Sequence, residues 1–192
     1  MKVTIVDPKQ RLVDKINEYF TDVHDVNAVV GDFRNYSADA LVSPANSFGI
    51  MDGGIDALYV EHLGKQMQKD LQDQIIKKFH GELPVGMSIT IEINNPQFKW
   101  LISAPTMRVP MNISNTDHVY LAFRSMLLSA IKHPKISTIV TPSFGTGVGK
   151  MDFEVAATQM KLAWLNATQP AYIPSYDRID TIHNRMYNPN AW

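Results

Sequence analysis

No cysteine occurs anywhere in the 192 residues. Disulfides, thiolate catalysis and cysteine-bound zinc are therefore excluded. A surplus of one charge sign is missing too: 18 basic and 19 acidic side chains leave a net charge of −1. That balance argues against a nucleic-acid surface built on bulk electrostatics and leaves room only for a local patch. No apolar run approaches bilayer-spanning length, and Met1-Lys2-Val3-Thr4-Ile5-Val6 has no signal-peptide core. A cytoplasmic protein without a membrane partner is the expectation. Asn112-Ile113-Ser114 and Asn166-Ala167-Thr168 are accordingly chance matches to a glycosylation acceptor. The six histidines, at 24, 62, 80, 118, 133 and 183, show no paired ligand spacing, so no metal is expected. No cofactor is expected either.

The named nucleotide and nucleophile motifs also fail. Gly149-Lys150-Met151 lacks the hydroxyl and the earlier glycine of a P-loop. A G-x-G-x-x-G fingerprint would need glycine at 150, which is Lys150, and a nucleophile elbow around Ser143 would need glycine at 141, which is Thr141.

What remains is an ordinary globular composition, 45% hydrophobic and 19% charged, long enough to bury one core. Val3 to Val6 reads as a strand, with Asp7 capping a helix whose first position is Pro8. Leu12, Val13, Ile16, Tyr19 and Phe20 recur at helical spacing. Short strands are expected at Ala28 to Val30 and Ala40 to Val42. A helix carries Met67, Leu71, Ile75 and Phe79. Met87, Ile89, Ile91 and Ile93 alternate as a half-buried strand, and Trp100 to Ser103 forms another. Asn115 or Thr116 caps a helix with Val119, Phe123 and Met126 on one face. Ile136 to Val140 is a buried strand, and Asp152 caps a last helix to about Ala167. Strands alternating with helices make the class α/β with a mixed, mostly parallel sheet. Residues 1–170 read as one domain, and 171–192 as an irregular tail docked on it.

Two glycine-containing loops follow two of these strands. One runs through Pro44, Asn46, Ser47, Gly49, Gly53 and Gly54 to Asp56, and the other from Ser143 to Gly149. Open α/β sheets bind ligands where strands end in such loops. Glycines let backbone approach a phosphate, and a following helix N-terminus offers free N–H groups. Together the loops can clamp a diphosphate; alternatively the glycines only make tight turns. Asp32, just after a strand, is a turn residue or a carboxylate accepting from an amino group such as that of adenine. Asn46 is a turn residue or a ligand contact, and Asp56 a cap or a ligand contact. Arg108 meets an anion or solvent.

Val30-Gly31-Asp32-Phe33, Asp39-Ala40-Leu41-Val42, Pro44-Ala45-Asn46 and Gly53-Gly54-Ile55-Asp56 resemble the macro domain family in order and spacing. Ser143-Phe144-Gly145-Thr146-Gly147-Val148-Gly149 is similar to the family's second loop. The resemblance implies a three-layer α/β/α fold and an ADP-ribose site. It implies Asp32 on the adenine amino group with Phe33 beside it. Gly53, Gly54 and Ile55 would lie against the distal ribose and diphosphate, and Ser143, Gly145, Thr146, Gly147 and Val148 around the phosphates. Asn46 would hold ribose hydroxyls and Asp56 would orient a water, making these two the catalytic candidates. Tyr172 and Tyr176 would stack on adenine or simply pack. The implied activity is hydrolysis of an ADP-ribosyl ester, O-acetyl-ADP-ribose or ADP-ribose 1″-phosphate; the alternative is a binding module without catalysis. Its partners would be ADP-ribose or a related small molecule, or an ADP-ribosylated macromolecule, with the chain a monomer. The family's usual residues are replaced at Ser43, Met51, Asp52 and Tyr59, and Asp52 adds a carboxylate near the expected phosphates.

Overall fold

A computed structural model describes residues 1–93 and 95–189. Six strands form one sheet in the order β2-β1-β6-β3-β5-β4. In sequence they are β1 (Lys2–Asp7), β2 (Val26–Val30), β3 (Ala38–Ser43), β4 (Ile89–Glu92), β5 (Phe98–Ser103) and β6 (Thr138–Thr141). Every neighbouring pair is parallel except β4 with β5, which is antiparallel. The helices are α1 (Gln10–Tyr19), α2 (Gly54–Leu63), α3 (Gln66–Phe79), α4 (His118–Lys132), α5 (Phe153–Thr168) and α6 (Tyr176–Tyr187).

Strand alternation divides the core between the two faces of the sheet. Ala40 and Val42 face a cluster built with Leu12 and Ile16 of α1, Phe123 and Met126 of α4, and Met160 and Ala163 of α5. Leu41 between them faces Tyr59 of α2 and Met67, Leu71 and Ile75 of α3. The fold is therefore three-layered α/β/α, with α1, α4 and α5 on one side and α2 and α3 on the other.

Several boundaries differ from the sequence reading. The first helix starts at Gln10, not Pro8, because the Asp7 carboxylate takes the Lys9 N–H at 3.0 Å in a local turn. Asp117 holds the N-cap position of α4, while the Thr116 hydroxyl accepts the His118 N–H at 3.3 Å. Asp152 does cap α5, accepting the N–H groups of Glu154 and Val155. The tail is not irregular: it contains α6, whose Met186 is buried and whose Met186 carbonyl accepts from Gln159 at 3.1 Å. The last three positions of the tail lie outside the described residues.

Asp39 pins β6 to β3. Its Oδ2 accepts the backbone N–H and the hydroxyl of both Ser137 and Thr138, at 2.8–2.9 Å. Burial pushes this carboxyl up, but the four hydrogen bonds outweigh it and hold the pKa at about 2. A lowered folded-state pKa stabilises above the unfolded value and loses that contribution as pH falls through the folded value. Asp39→Asn should cost about 2 kcal/mol at neutral pH. The gap between variant and parent should close near pH 2, as measured by urea unfolding at the two pH values.

Candidate functional site

The two glycine loops leave the C-terminal ends of β3 and β6, which are neighbours in the sheet. Between them lies a cavity of about 410 Å³, within the range of small-molecule sites. Its walls come from four places. The first loop and the start of α2 contribute Pro44, Ala45, Asn46, Ile50, Asp52, Gly53, Gly54, Ile55 and Leu58. The second loop gives Pro142, Ser143, Gly145, Thr146, Gly147, Val148 and Gly149. The end of β1 adds Val6, Asp7, Pro8 and Lys9, and Thr106, Met107 and Pro110 complete the lining.

The first loop is held by Asn46 and by glutamines of α3. Asn46 Nδ2 donates to the Ile50 carbonyl at 2.7 Å, while its Oδ1 accepts the N–H groups of Phe48 and Ile50. One amide hydrogen of Asn46 remains for a ligand. Met51 is buried against Leu71 and Tyr59 in the core rather than in the cavity, and its N–H donates to Gln68 Oε1 at 2.9 Å. Gly54 has φ +56°, a conformation that favours glycine, and open space lies where Cβ atoms of Gly53 and Gly54 would stand. The first N–H groups of α2 have no intrahelical partner, and they border the cavity.

The second loop is anchored by Phe144, which is fully buried edge-on against Phe123 with centroids 5.2 Å apart. Its turn is closed by Met151 N–H to the Gly145 carbonyl at 3.0 Å and by Lys150 N–H to the Gly147 carbonyl at 3.1 Å. Ser143 Oγ donates to Asp7 Oδ2 at 2.5 Å and lies 2.8 Å from the Thr146 hydroxyl. The N–H groups of Thr146, Gly147 and Val148 have no partner among the described residues. A run of unpaired backbone donors in a glycine turn makes a cradle for an anion.

The family model of the Macro domain matches residues 42–160, from the end of β3 through both loops and β6 into α5. The chain belongs to the macro domain family. An uncharacterized protein from Aquifex aeolicus is 35% identical over 136 residues, covering 71% of this chain and 78% of its own. The fold is that of the macrodomain of Mycobacterium tuberculosis DarG, at TM-score 0.60 and 22% identity, over 76% of this chain and 95% of that one. An Oceanobacillus iheyensis macrodomain variant with ADPR superposes at TM-score 0.60 and 23% identity, over 73% and 77% of the two chains. At these identities the structural likeness speaks for the fold alone.

Within this macro domain, Asn46, Gly53, Gly54, Ile55, Ser143, Gly145, Thr146, Gly147 and Val148 come together around one cavity. Asp32, Phe33 and Asp56 are not in its lining. Asp32 forms a bidentate pair with the Arg34 guanidinium, at 2.5–3.0 Å, and accepts the Arg34 N–H. These contacts hold its carboxyl down at about 2. Phe33 is a core residue, edge-on to Tyr59 at 4.7 Å. Asp56 lies in the first turn of α2 but points inward, only 2% exposed, and its Oδ1 has no partner among the described residues. Burial pushes its pKa up to about 7, with the Ser43 hydroxyl pulling the other way. Arg108 is likewise outside the lining, bidentate to Glu82 at 2.6 and 3.0 Å and stacked on Phe48. Tyr172 and Tyr176 are 56% and 79% exposed and do not line the cavity.

The sequence reading missed Asp7 and Lys9 as lining residues. The signal was present: Asp7 ends, and Lys9 closely follows, a buried parallel strand at the sheet end where ligands bind. Reading Asp7 as a helix cap and Lys9 as part of that helix concealed it.

Proposed function

We propose that this macro domain binds ADP-ribose in the cavity between the two glycine loops. One observation carries the reading: two loops on neighbouring parallel strands present unpaired backbone donors to a single cavity. Such donors suit the diphosphate, and the apolar lining from Ile50, Leu58, Pro110 and Val148 suits the flat and carbon-rich parts of a nucleotide. The Oceanobacillus iheyensis macrodomain with ADPR lends support by the shared fold.

Of the two activities that the sequence leaves open, binding without hydrolysis is the better supported. A carboxyl buried as Asp56 is cannot take a proton directly from water in the cavity. Asn46 lines the cavity but spends most of its amide on the loop. Calorimetric titration should give micromolar binding of ADP-ribose, with AMP and NAD at least about tenfold weaker. Asp32→Ala should leave that affinity unchanged, because Asp32 is engaged by Arg34. Incubation with ADP-ribose 1″-phosphate, O-acetyl-ADP-ribose and an ADP-ribosyl ester should yield no turnover. Turnover of any of them that is lost in Asp56→Asn would revive the hydrolase reading, and absence of ADP-ribose binding at millimolar ligand would end both.

A further inference from the structure

Lys9 lines the cavity and is not among the cations that hold an ion pair with a carboxylate among the described residues. Arg34, Arg108, Lys15, Lys69, Lys99 and Lys161 each face a carboxylate. No carboxylate lies within ion-pair distance of the Lys9 ammonium among the described residues. Its Nζ donates to the Thr146 carbonyl at 3.4 Å, a long bond, and stands 5.6 Å from the Phe153 ring centroid. Both contacts position the charge without neutralising it. An ammonium has three donors, so two remain.

The place is what sets Lys9 apart. Lys9 lines the cavity, where its charge stands against the two carboxylates of Asp7 and Asp52. The carbonyl that it touches belongs to the second loop, one residue before the unpaired amides of Gly147 and Val148. An anion seated on those amides lies next to an ammonium already tethered to the same turn. Exchanging a long bond to a neutral carbonyl for a charge-assisted one to a phosphate oxygen is favourable.

Resting on the ADP-ribose reading, we infer that Lys9 is the cation that pairs with the ligand's diphosphate, with Asp52 opposing it. The site then selects by phosphate charge through a side chain on the β1–α1 turn, and not through backbone donors alone. Lys9 is exposed, so Lys9→Met removes the ammonium, with its contacts to Thr146 and Phe153, without opening a hole in the core.

The test is calorimetry on Lys9→Met, Lys9→Arg and Asp52→Asn with ADP-ribose, inorganic pyrophosphate and adenosine, at low and high salt. Lys9→Met should weaken ADP-ribose and pyrophosphate about tenfold, flatten their salt dependence and leave adenosine unchanged. Lys9→Arg should restore most of the affinity, and Asp52→Asn should tighten ADP-ribose severalfold. Unchanged ADP-ribose and pyrophosphate affinity in Lys9→Met, or an equal loss for adenosine, would overturn the inference. Lys9-dependent binding of pyrophosphate without binding of ADP-ribose would sink the ligand reading and keep Lys9. Tight ADP-ribose binding indifferent to Lys9 would do the reverse, and failure of the parent protein to take either probe would contradict both.

Discussion

Asp56→Asn should stabilise the protein at pH 8 by about 2–4 kcal/mol and by less than about 1 kcal/mol at pH 4. The Asp56 carboxyl is 2% exposed, and burial raises its pKa to about 7. Its position in the first turn of α2 would by itself favour the anion through the helix dipole. Desolvation wins, because the dipole is worth at most about 2 kcal/mol and burial of an unpaired charge costs more. A group whose folded pKa lies above its unfolded value binds more protons when folded, so folding loses stability as pH rises between the two values. Held about three pH units too high, at about 1.4 kcal/mol each, Asp56 costs folding at most about 4 kcal/mol once pH exceeds that of its own midpoint. Asparagine has the same shape and no charge to desolvate. Urea unfolding of parent and variant from acid to alkaline pH reads the difference directly. A variant less stable than the parent at pH 8 would show that the ionised carboxylate is satisfied in the fold.

The second large effect belongs to the second loop. Gly145 has φ +74°, and a Cβ there would stand 2.5 Å from Val119 Cγ2, in the core. A Cβ on Gly149 would stand 2.5 Å from the Gly145 carbonyl oxygen and 2.7 Å from Ile113. None of these neighbours can retreat: one is the loop's own backbone, and Val119 and Ile113 are fully buried. Gly145→Ala and Gly149→Ala should each cost about 2–4 kcal/mol, by strain and overpacking. Gly147 has open space where its Cβ would stand, so Gly147→Ala should change stability by less than about 0.5 kcal/mol. It should nevertheless weaken ADP-ribose, since the methyl enters the cavity lining. Equal stability losses at all three positions, measured by urea unfolding, would mean that the turn is not held as described.

Why the fold was legible follows from its strands. Ala40 to Val42 is a short apolar run, Ile136, Ile139 and Val140 are the buried residues at β6, both are followed by turn residues, and Met67, Leu71 and Ile75 fall at helical spacing because α3 buries one stripe. The α6 helix was not legible, since it carries polar residues on most of its surface and buries little beyond Met186. The site was legible as loops but not as side-chain directions. The family resemblance implied Asp32 and Asp56 beside the ligand, yet a sequence cannot say that Arg34 claims the first or that α2 turns the second inward. Conversely, Asp7 and Lys9 read as the start of a helix, and only the neighbouring positions of β1 and β6 bring them to Ser143 and Thr146.

The most direct test of the account is titration of the isotopically labelled protein with ADP-ribose, following backbone amide resonances. The amides of Gly53, Gly54, Ile55, Gly147 and Val148 should shift together along one binding curve, while those of Asp32, Arg34, Tyr172 and Tyr176 stay in place. Shifts centred on Asp32 and Arg34 or on the tail, or none at millimolar ligand, would contradict a site between the two glycine loops.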